Sequence, residues 1–230
     1  MKILQSPNFQ QSIELSPECY YNVVIENQMA FRNELTQLNN QLLSNDEHLR
    51  YWVDDEPQEL SPIGFLVDNP LKIDFDQKKI DALIQKDIQK RLKDEEKGKF
   101  ADLLTKINEY VEEISFDYDI PLTFNADLSV SSFLKAISLT SSSDYENYFS
   151  YLLSTVRKLS FVLGYRIFFF VNLRDYLTPH EMSKFVHSLR QYEIDFVLIS
   201  SHRPTEQLSD EILIEIDEDL AELRIEPKSL

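Results

Sequence analysis

Glycine is scarce in this sequence: only Gly64, Gly98 and Gly164 occur among 230 residues, although glycine averages about 7% of protein residues. A P-loop, a dinucleotide-binding fingerprint and a nucleophile elbow each need glycines close together, where the backbone approaches a phosphate or turns sharply. None of these motifs is present. The sequence therefore argues against ordinary nucleotide-dependent chemistry.

Cysteines and long apolar runs are also lacking. Cys19 is the only cysteine, which excludes an internal disulfide and a cysteine zinc site, and it fits a reducing compartment. The longest apolar stretch, Phe161 to Leu173, contains Arg166 and is far shorter than the ~20 residues that cross a bilayer. The first residues contain no apolar core of a signal peptide. We expect a cytoplasmic protein that does not contact membranes.

Positive charge is the third shortage. The chain has 23 lysines and arginines against 40 acidic residues, which gives a net charge of −17. Binding to phosphates requires positive potential, so a surface that generally coats nucleic acid is excluded. Any such binding must be confined to a local patch.

The last third of the chain reads as a strand, a helix and a second strand. Residues 166–171 and 196–199 are nearly continuous runs of bulky apolar residues, as in strands of a parallel sheet that are buried on both faces. Between them, Thr178, Pro179 and Glu181 supply an N-cap, a proline at the first helical position and the far half of a capping box. This unit predicts an α/β fold with a right-handed crossover.

The remaining sequence suggests two domains. Further strands are predicted at Cys19 to Glu26 and Ile63 to Val67, whereas the middle of the chain has helical periodicity. We therefore expect an α/β head with a partly parallel sheet, formed by residues 1–74 and 160–230. A helical leg, residues 75–159, is inserted in it.

Two boundaries are predicted within this leg. Lys97, Gly98 and Lys99 separate two apolar stripes, so we expect a hinge there. Ser143, with Glu146 three residues later, predicts the start of the last leg helix.

The leg also holds a cluster of basic residues, since eight of the 23 lysines and arginines lie between Lys78 and Lys99. At about 100° per residue, a helix places four of them within about 60° of one another, with no acid in that sector. They are Lys79, Lys86, Lys90 and Lys93. Such a row can follow a phosphate backbone without reading its sequence. A solvated helix face with ordinary i to i+4 ion pairs has the same pattern.

Oxygen-bearing side chains crowd one connection between leg helices: Asp117, Asp119, Asn125 and Asp127. Such ligands suit calcium or magnesium rather than zinc. The spacing is not that of an EF-hand, which has a central glycine and a closing glutamate. Helix capping by Asp127 and loop solubility explain the same residues equally well.

The remaining polar motifs favour structural roles. The four histidines have no metal-ligand spacing: His48, His180, His187 and His202. The Ser200-Ser201-His202 run has no elbow motif and no partner acid that the sequence identifies. Asn172, Arg174 and Asp175 follow a strand's carboxyl end, where α/β proteins place ligands, but the missing glycines favour a structural turn.

Taken together, three segments of this sequence resemble a known family. They are CYYNVVIENQMAFRNEL, FLVDNPLKIDFDQKKIDALIQKDIQKRL and the run from FFFVNLRDYLTPHEMSKF to DFVLISSHRP. They resemble the ring-forming accessory protein of spacer acquisition in subtype II-A CRISPR systems. The resemblance extends from about residue 20 to 216 and depends on patterns of apolar residues rather than on catalytic groups.

This resemblance implies a degenerate, P-loop-like head with a helical leg, four copies of which close into a homotetrameric ring. It further implies binding of double-stranded DNA ends in a lysine-lined channel, calcium ions that hold the leg in shape, and no catalytic activity. The implied partners are the CRISPR integrase and effector nuclease. The matching channel residues are Lys79, Lys86, Lys90, Arg91 and Lys93. Thr123 and Asn125 stand where the family has acids, which departs from the calcium loop.

Three functions compete at this point. The first is a DNA-binding ring without catalytic activity, and the second is an acidic protein-interaction or regulatory module that does not touch DNA. The third is a metal-dependent nuclease that uses Asp117, Asp119 and Asp127. It is the weakest, because no base and no second metal cluster accompany these residues.

Overall fold

A computed structural model describes residues 1–44, 48–142 and 144–227. The chain divides into two compact units. The first unit consists of Met1–Asp74 and Asp144–Leu230, and the second unit is Phe75–Ser143. None of the helices in the described ranges is both long and apolar enough to span a bilayer.

The elements follow one another in an α/β order, with a run of helices in the middle. They are β1 (Lys2–Gln5), β2 (Ile13–Leu15), β3 (Tyr20–Ile25), α1 (Gln28–Ser44), β4 (Arg50–Val53), β5 (Glu56–Gln58), β6 (Gly64–Val67), α2 (Gln77–Arg91), α3 (Asp94–Phe116), α4 (Val130–Ala136), α5 (Tyr148–Lys158), β7 (Ile167–Val171), α6 (Pro179–Gln191), β8 (Asp195–Ser200), β9 (Glu211–Ile216) and β10 (Glu222–Ile225).

A six-stranded sheet forms the centre of the first unit, in the order β10-β9-β3-β8-β7-β6. β3 pairs in parallel with both β8 and β9, β7 pairs in parallel with β6 and β8, and β10 is antiparallel to β9. All five residues of β7 are buried, as expected for a strand covered on both faces. The predicted mixed α/β fold is confirmed.

Helix α6 begins as its sequence predicts. The Thr178 hydroxyl accepts a hydrogen bond from the Glu181 N–H at 3.3 Å, and the Glu181 carboxylate accepts one from the Thr178 N–H at 2.9 Å. The helix then buries its apolar side: Met182, Phe185, Val186 and Leu189. The strand, helix and strand predicted in this region are therefore confirmed.

A second sheet, of four antiparallel strands in the order β2-β1-β4-β5, belongs to the same unit. It places Leu4, Ile13 and Tyr51 in the apolar core with β3 and α1. The sequence analysis did not predict these strands. Each is only three or four residues long, which is too short for a clear alternation of apolar and polar positions.

Helix α5 differs from its prediction in two respects. It begins at Tyr148, where the Asn147 side chain accepts a hydrogen bond from the Ser150 N–H at 2.9 Å, and Glu146 lies before it. The predicted cap, Ser143, lies outside the described residues. The helix also belongs to the first unit rather than to the predicted leg, residues 75–159. The reason is its packing, since Leu152 and Val156 are fully buried and Phe149 meets Phe185 edge to face.

The second unit consists of α2, α3 and α4. Its buried apolar side chains, among the residues described, are Ile80 on α2 and Leu134 on α4. The ring of Phe100 on α3 lies 5.6 Å from that of Phe133 on α4. The α4 cap is Ser129, which accepts from the Ser132 N–H, and not Asp127. This unit therefore has a small core.

Candidate nucleic-acid interface

The candidate interface is the exposed face of α2. Asp76 caps the helix by accepting a hydrogen bond from the Lys79 N–H at 3.1 Å, and Ile80 faces inward with no exposed surface. Lys79, Lys86 and Lys90 are all exposed. At about 100° per residue they fall within about 40° of one another, so their ammonium groups form one row.

The opposite side of α2 is fixed by hydrogen bonds to the segment that follows α4. The Asp81 carboxylate accepts from the backbone N–H of Ser141 at 2.9 Å, and the Gln85 amide donates to the carbonyl of Leu139 at 2.9 Å. These contacts set the rotation of the helix about its axis. They leave the lysine row facing solvent.

These lysines differ from the basic residues that follow them. Arg91 lies 2.8 Å from Asp87, one turn earlier, and Lys97 and Lys99 likewise pair with acids on their own helix. The structure gives Lys79, Lys86 and Lys90 no ion pair among the residues it describes. Their charge is therefore less compensated than that of Arg91.

Lys93 does not share the helical row, because α2 ends before it. Leu92 and Lys93 are extended, and the Lys93 N–H donates to the Glu96 carboxylate at 2.8 Å, which starts α3. The break therefore lies at residues 92–93, and the predicted hinge at Lys97 to Lys99 is wrong: Gly98 lies inside α3. The sequence signal for the start of α3 was the run of three acids after Lys93, because negative charge stabilises the positive N-terminal end of a helix.

The predicted metal residues lie on the exposed segment between α3 and α4. Asp117, Asp119, Asn125 and Asp127 are all exposed, and the Asn125 side chain accepts a hydrogen bond from the Asp127 N–H at 3.0 Å. Within the described ranges, no three or more acidic, histidine or cysteine side chains are grouped so that they could hold a metal ion. As arranged, these residues do not fit a calcium site.

The loops after β7 and β8 bring polar residues together at the carboxyl edge of the sheet. His202 lies 3.0 Å from the Asp175 carboxylate and 3.2 Å from the Ser201 hydroxyl. Asp175 is the partner acid that the sequence analysis did not identify. Asn172, at a φ of 51°, accepts from the Ser201 N–H at 2.8 Å and so joins the two loops. Because His202 is 58% exposed and the serine has no glycine elbow, we assign this group no hydrolytic role.

A buried polar chain lies beneath the same edge. Ser200 donates to Asn22, and Asn22 donates to Glu211 at 3.1 Å. Glu211 is fully buried, and Arg174 lies 3.4 Å from its other oxygen. Burial raises the pKa of Glu211 above its usual value, and the positive charge of Arg174 acts in the opposite direction. Arg174 follows a strand at the edge where α/β proteins place ligands, but it pairs with Glu211 and therefore has a structural role.

His48 is a second residue whose surroundings the sequence did not reveal. Its Nε2 lies 3.0 Å from a carboxylate oxygen of Glu34 on α1, and both side chains are buried. The other oxygen of Glu34 accepts from the Asn8 amide at 2.8 Å. This histidine therefore belongs to the core of the first unit and not to a metal site.

Three solved structures of ATP-binding cassettes are similar to this chain. The first is a bacterial Atm1-family ABC exporter with ATP bound, at 11% identity, covering 98% of this chain and 39% of the exporter chain. The second is the dimeric post-hydrolysis state of the cassette MJ0796 bound to ADP and Pi, at 8% identity, covering 100% of both chains. The third is the ADP conformation of MJ1267, a cassette of an ABC transporter, at 15% identity, covering 98% of this chain and 92% of the MJ1267 chain. All three have a TM-score of 0.44.

The family comparison is more informative. No curated protein matches the chain significantly. The family model described as CRISPR-associated protein (Cas_Csn2) matches residues 42–220, which is well over half of the chain. The resemblance read from the sequence is therefore confirmed, and the chain belongs to the Cas_Csn2 family of CRISPR-associated proteins, the accessory proteins of spacer acquisition in subtype II-A systems.

Proposed function

We propose that this chain binds the ends of double-stranded DNA, without sequence preference, as a homotetrameric ring during spacer acquisition. In this proposal it catalyses no reaction and works in the cytoplasm beside the CRISPR integrase and effector nuclease. The family membership supports the CRISPR-associated role. The observation that carries the DNA proposal is the exposed row of Lys79, Lys86 and Lys90 on α2.

Three features of α2 support contact with a phosphate backbone. The row is straight, faces solvent and has no ion pairs among the described residues. Arg91, which is paired with Asp87, is the last residue of α2, and Lys93 lies just past the end of this helix. Contacts of this kind neutralise phosphates and release counterions but do not read base edges. Binding should therefore be independent of sequence and sensitive to salt.

The apolar surface of α3 supports self-association. This helix of 23 residues has no buried residue, and Leu103 and Ile114, which lie on one side of it, are 41% and 45% exposed. A contiguous apolar surface on a soluble chain commonly marks a contact with another protein surface. A second copy would cover this apolar surface of α3, and a ring would bring the lysine rows of several copies together.

The DNA proposal is tested by reversing two charges of the row. We expect Lys86→Glu/Lys90→Glu to weaken binding to linear duplex DNA equally for all sequences, because both side chains point into solvent. Two lost phosphate contacts should also reduce the slope of log K against log salt by about 2. The measurement is fluorescence anisotropy over a salt series. A closed ring should in addition prefer linear to covalently closed DNA.

A matched control comes from α3. Lys97→Glu/Lys99→Glu changes the net charge by the same amount, but these lysines are already paired with Asp94 and Glu95. We expect a clearly smaller loss of affinity. If the Lys86/Lys90 variant binds as tightly as the parent at low salt, or if the parent ignores DNA, the row is only a solvated face. The function would then be that of an acidic interaction module.

Self-association is tested separately by light scattering. The parent should have about four times the mass of the 27.1 kDa chain. Leu103→Asp/Ile114→Asp should dissociate it and should leave the free energy of unfolding of each copy within about 0.5 kcal/mol per substitution, because both positions are exposed. Leu71→Asp, at a leucine of the first unit that is 60% exposed, is the control. A monomeric parent at micromolar concentration would refute the ring.

Calcium binding between α3 and α4 has support only from the family resemblance. The geometry of Asp117, Asp119, Asn125 and Asp127 gives no support, so binding would require these side chains to converge on the ion. A ligand that binds only the folded form raises the Tm by mass action. The test is the Tm after chelator treatment, with and without millimolar calcium, for the parent and Asp119→Ala. An unchanged Tm would end the proposal.

A further inference from the structure

The first unit contains a cavity of about 470 Å³ at the carboxyl ends of β3 and β9. The last residue of each strand, Ile25 and Ile216, lines it, together with the first turns of α1 and the hairpin that joins β9 to β10. Of the lining residues, only Ile216 and Leu220 lie within residues 42–220. The family match therefore says little about this cavity.

Leu220 at the tip of the hairpin is the most unusual residue of the cavity. Its side chain is 58% exposed, and its backbone has a φ of 67°. This left-handed conformation is unfavourable for a bulky residue and is normally occupied by glycine or asparagine. Met29, on the α1 side, is also exposed, at 65%. Two exposed apolar side chains thus flank an open cavity.

The hairpin holds Leu220 in place. The Asp217 carboxylate accepts hydrogen bonds from the backbone N–H groups of Asp219 and Ala221, at 2.9 and 2.8 Å. The Asn27 amide donates to the carbonyl of Glu218 at 2.9 Å and so ties the hairpin to the start of α1. Because the conformation is fixed, a partner that contacts Leu220 loses little entropy in ordering it.

The charge around this cavity has one sign. Glu34 and Glu222 line it, and the Glu222 carboxylate is fixed by the N–H groups of Gln10 and Gln11 at 2.7 and 3.1 Å. Glu218 and Asp219 are exposed on the hairpin. None of the lining residues is basic. The cavity therefore repels phosphates and attracts cations.

We propose that this cavity docks a protein partner through an apolar side chain that is flanked by basic residues. The apolar side chain contacts Leu220 and Met29, and the flanking cations face Glu222 and the acidic hairpin. A nucleic acid does not fit, because its phosphates would lie against carboxylates.

The test uses a short fluorescein-labelled peptide with a Leu-Phe pair flanked on both sides by lysines. A second peptide, with the pair replaced by two serines, has the same charge. We expect the apolar peptide to bind the full chain about tenfold more tightly, which corresponds to burial of part of one large side chain. Leu220→Asn should abolish this difference, and Leu71→Asn, at a leucine of similar exposure, should preserve it.

The variant also separates docking from folding. Asparagine tolerates the left-handed conformation, so Leu220→Asn should keep or raise the Tm while it removes the preference for the apolar peptide. Equal binding of both peptides to the parent would mean nonspecific attraction to an acidic protein and would overturn the proposal. So would an apolar preference that survives Leu220→Asn. Self-association that is lost in Leu220→Asn would identify the occupant as a second copy and would likewise overturn it.

Discussion

The two units of this chain use their apolar and charged residues in opposite ways. The first unit buries the faces of two sheets and of three helices, and it also buries a polar chain that includes Glu211. The second unit, in its described residues, buries only Ile80 and Leu134 among its apolar side chains and leaves those of α3 half-buried or exposed. We infer that the first unit is stabilised by contacts within the chain, whereas the second provides surfaces for contacts outside it.

The comparison is tested most strongly at ion pairs in the two units. Arg174→Met should destabilise the first unit by about 3 kcal/mol, because it leaves the carboxylate of Glu211 buried without its cation. Arg91→Met breaks the exposed pair with Asp87 and should cost about 0.5 kcal/mol or less. Urea denaturation measures both: the fluorescence of the single tryptophan, Trp52, follows the first unit, and far-UV circular dichroism follows the helices of the second.

A double variant identifies the cause of the large effect. Arg174→Met/Glu211→Gln removes the charge together with its partner and should be less destabilised than Arg174→Met alone. If the two substitutions are simply additive, the pair does not interact in the folded protein. Equal costs for Arg174→Met and Arg91→Met would remove the contrast between the units.

The pH dependence of stability sharpens the same contrast. Burial raises the pKa of Glu211 above its usual value of 4.5, so the folded form binds the proton more tightly than the unfolded form. The resulting stabilisation is complete below the unfolded pKa and is lost as the pH rises through the folded pKa. The stability of the parent relative to Glu211→Gln should therefore fall as the pH rises from below about 4.5 to neutrality. Urea midpoints over this range measure it, and a constant difference would contradict it.

The first unit was also the more predictable from sequence. β7 and β8 are continuous apolar runs, and α6 has both halves of a capping box, so local signals agree with the fold there. Other features of this unit depend on residues far apart in the chain. Asn22 and Glu211, which share a buried hydrogen bond, are separated by 189 positions, and periodicity cannot reveal such a pair.

In the second unit, two local sequence signals disagreed about where α3 begins. Glycine and two lysines suggested a break at residues 97–99, but the acids at Asp94 to Glu96 start α3 before it. The lysines of α2 were predicted to share one exposed face, and the structure shows Lys79, Lys86 and Lys90 exposed. Whether this face binds DNA cannot follow from a pattern that a solvated helix shares.

A smaller effect than that of Arg174→Met is expected at the glycines of the two units. Gly98 lies in the interior of α3, and an added Cβ there would meet no atom within 4 Å. Gly98→Ala should stabilise α3 by about 1 kcal/mol, because alanine has less conformational freedom to lose. Gly164, in the first unit, also has open space around it but has a φ of 83°, so Gly164→Ala should destabilise by about 1 kcal/mol. Thermal unfolding followed by far-UV circular dichroism measures both. A loss of stability in Gly98→Ala would contradict the placement of Gly98 in a regular, open part of α3.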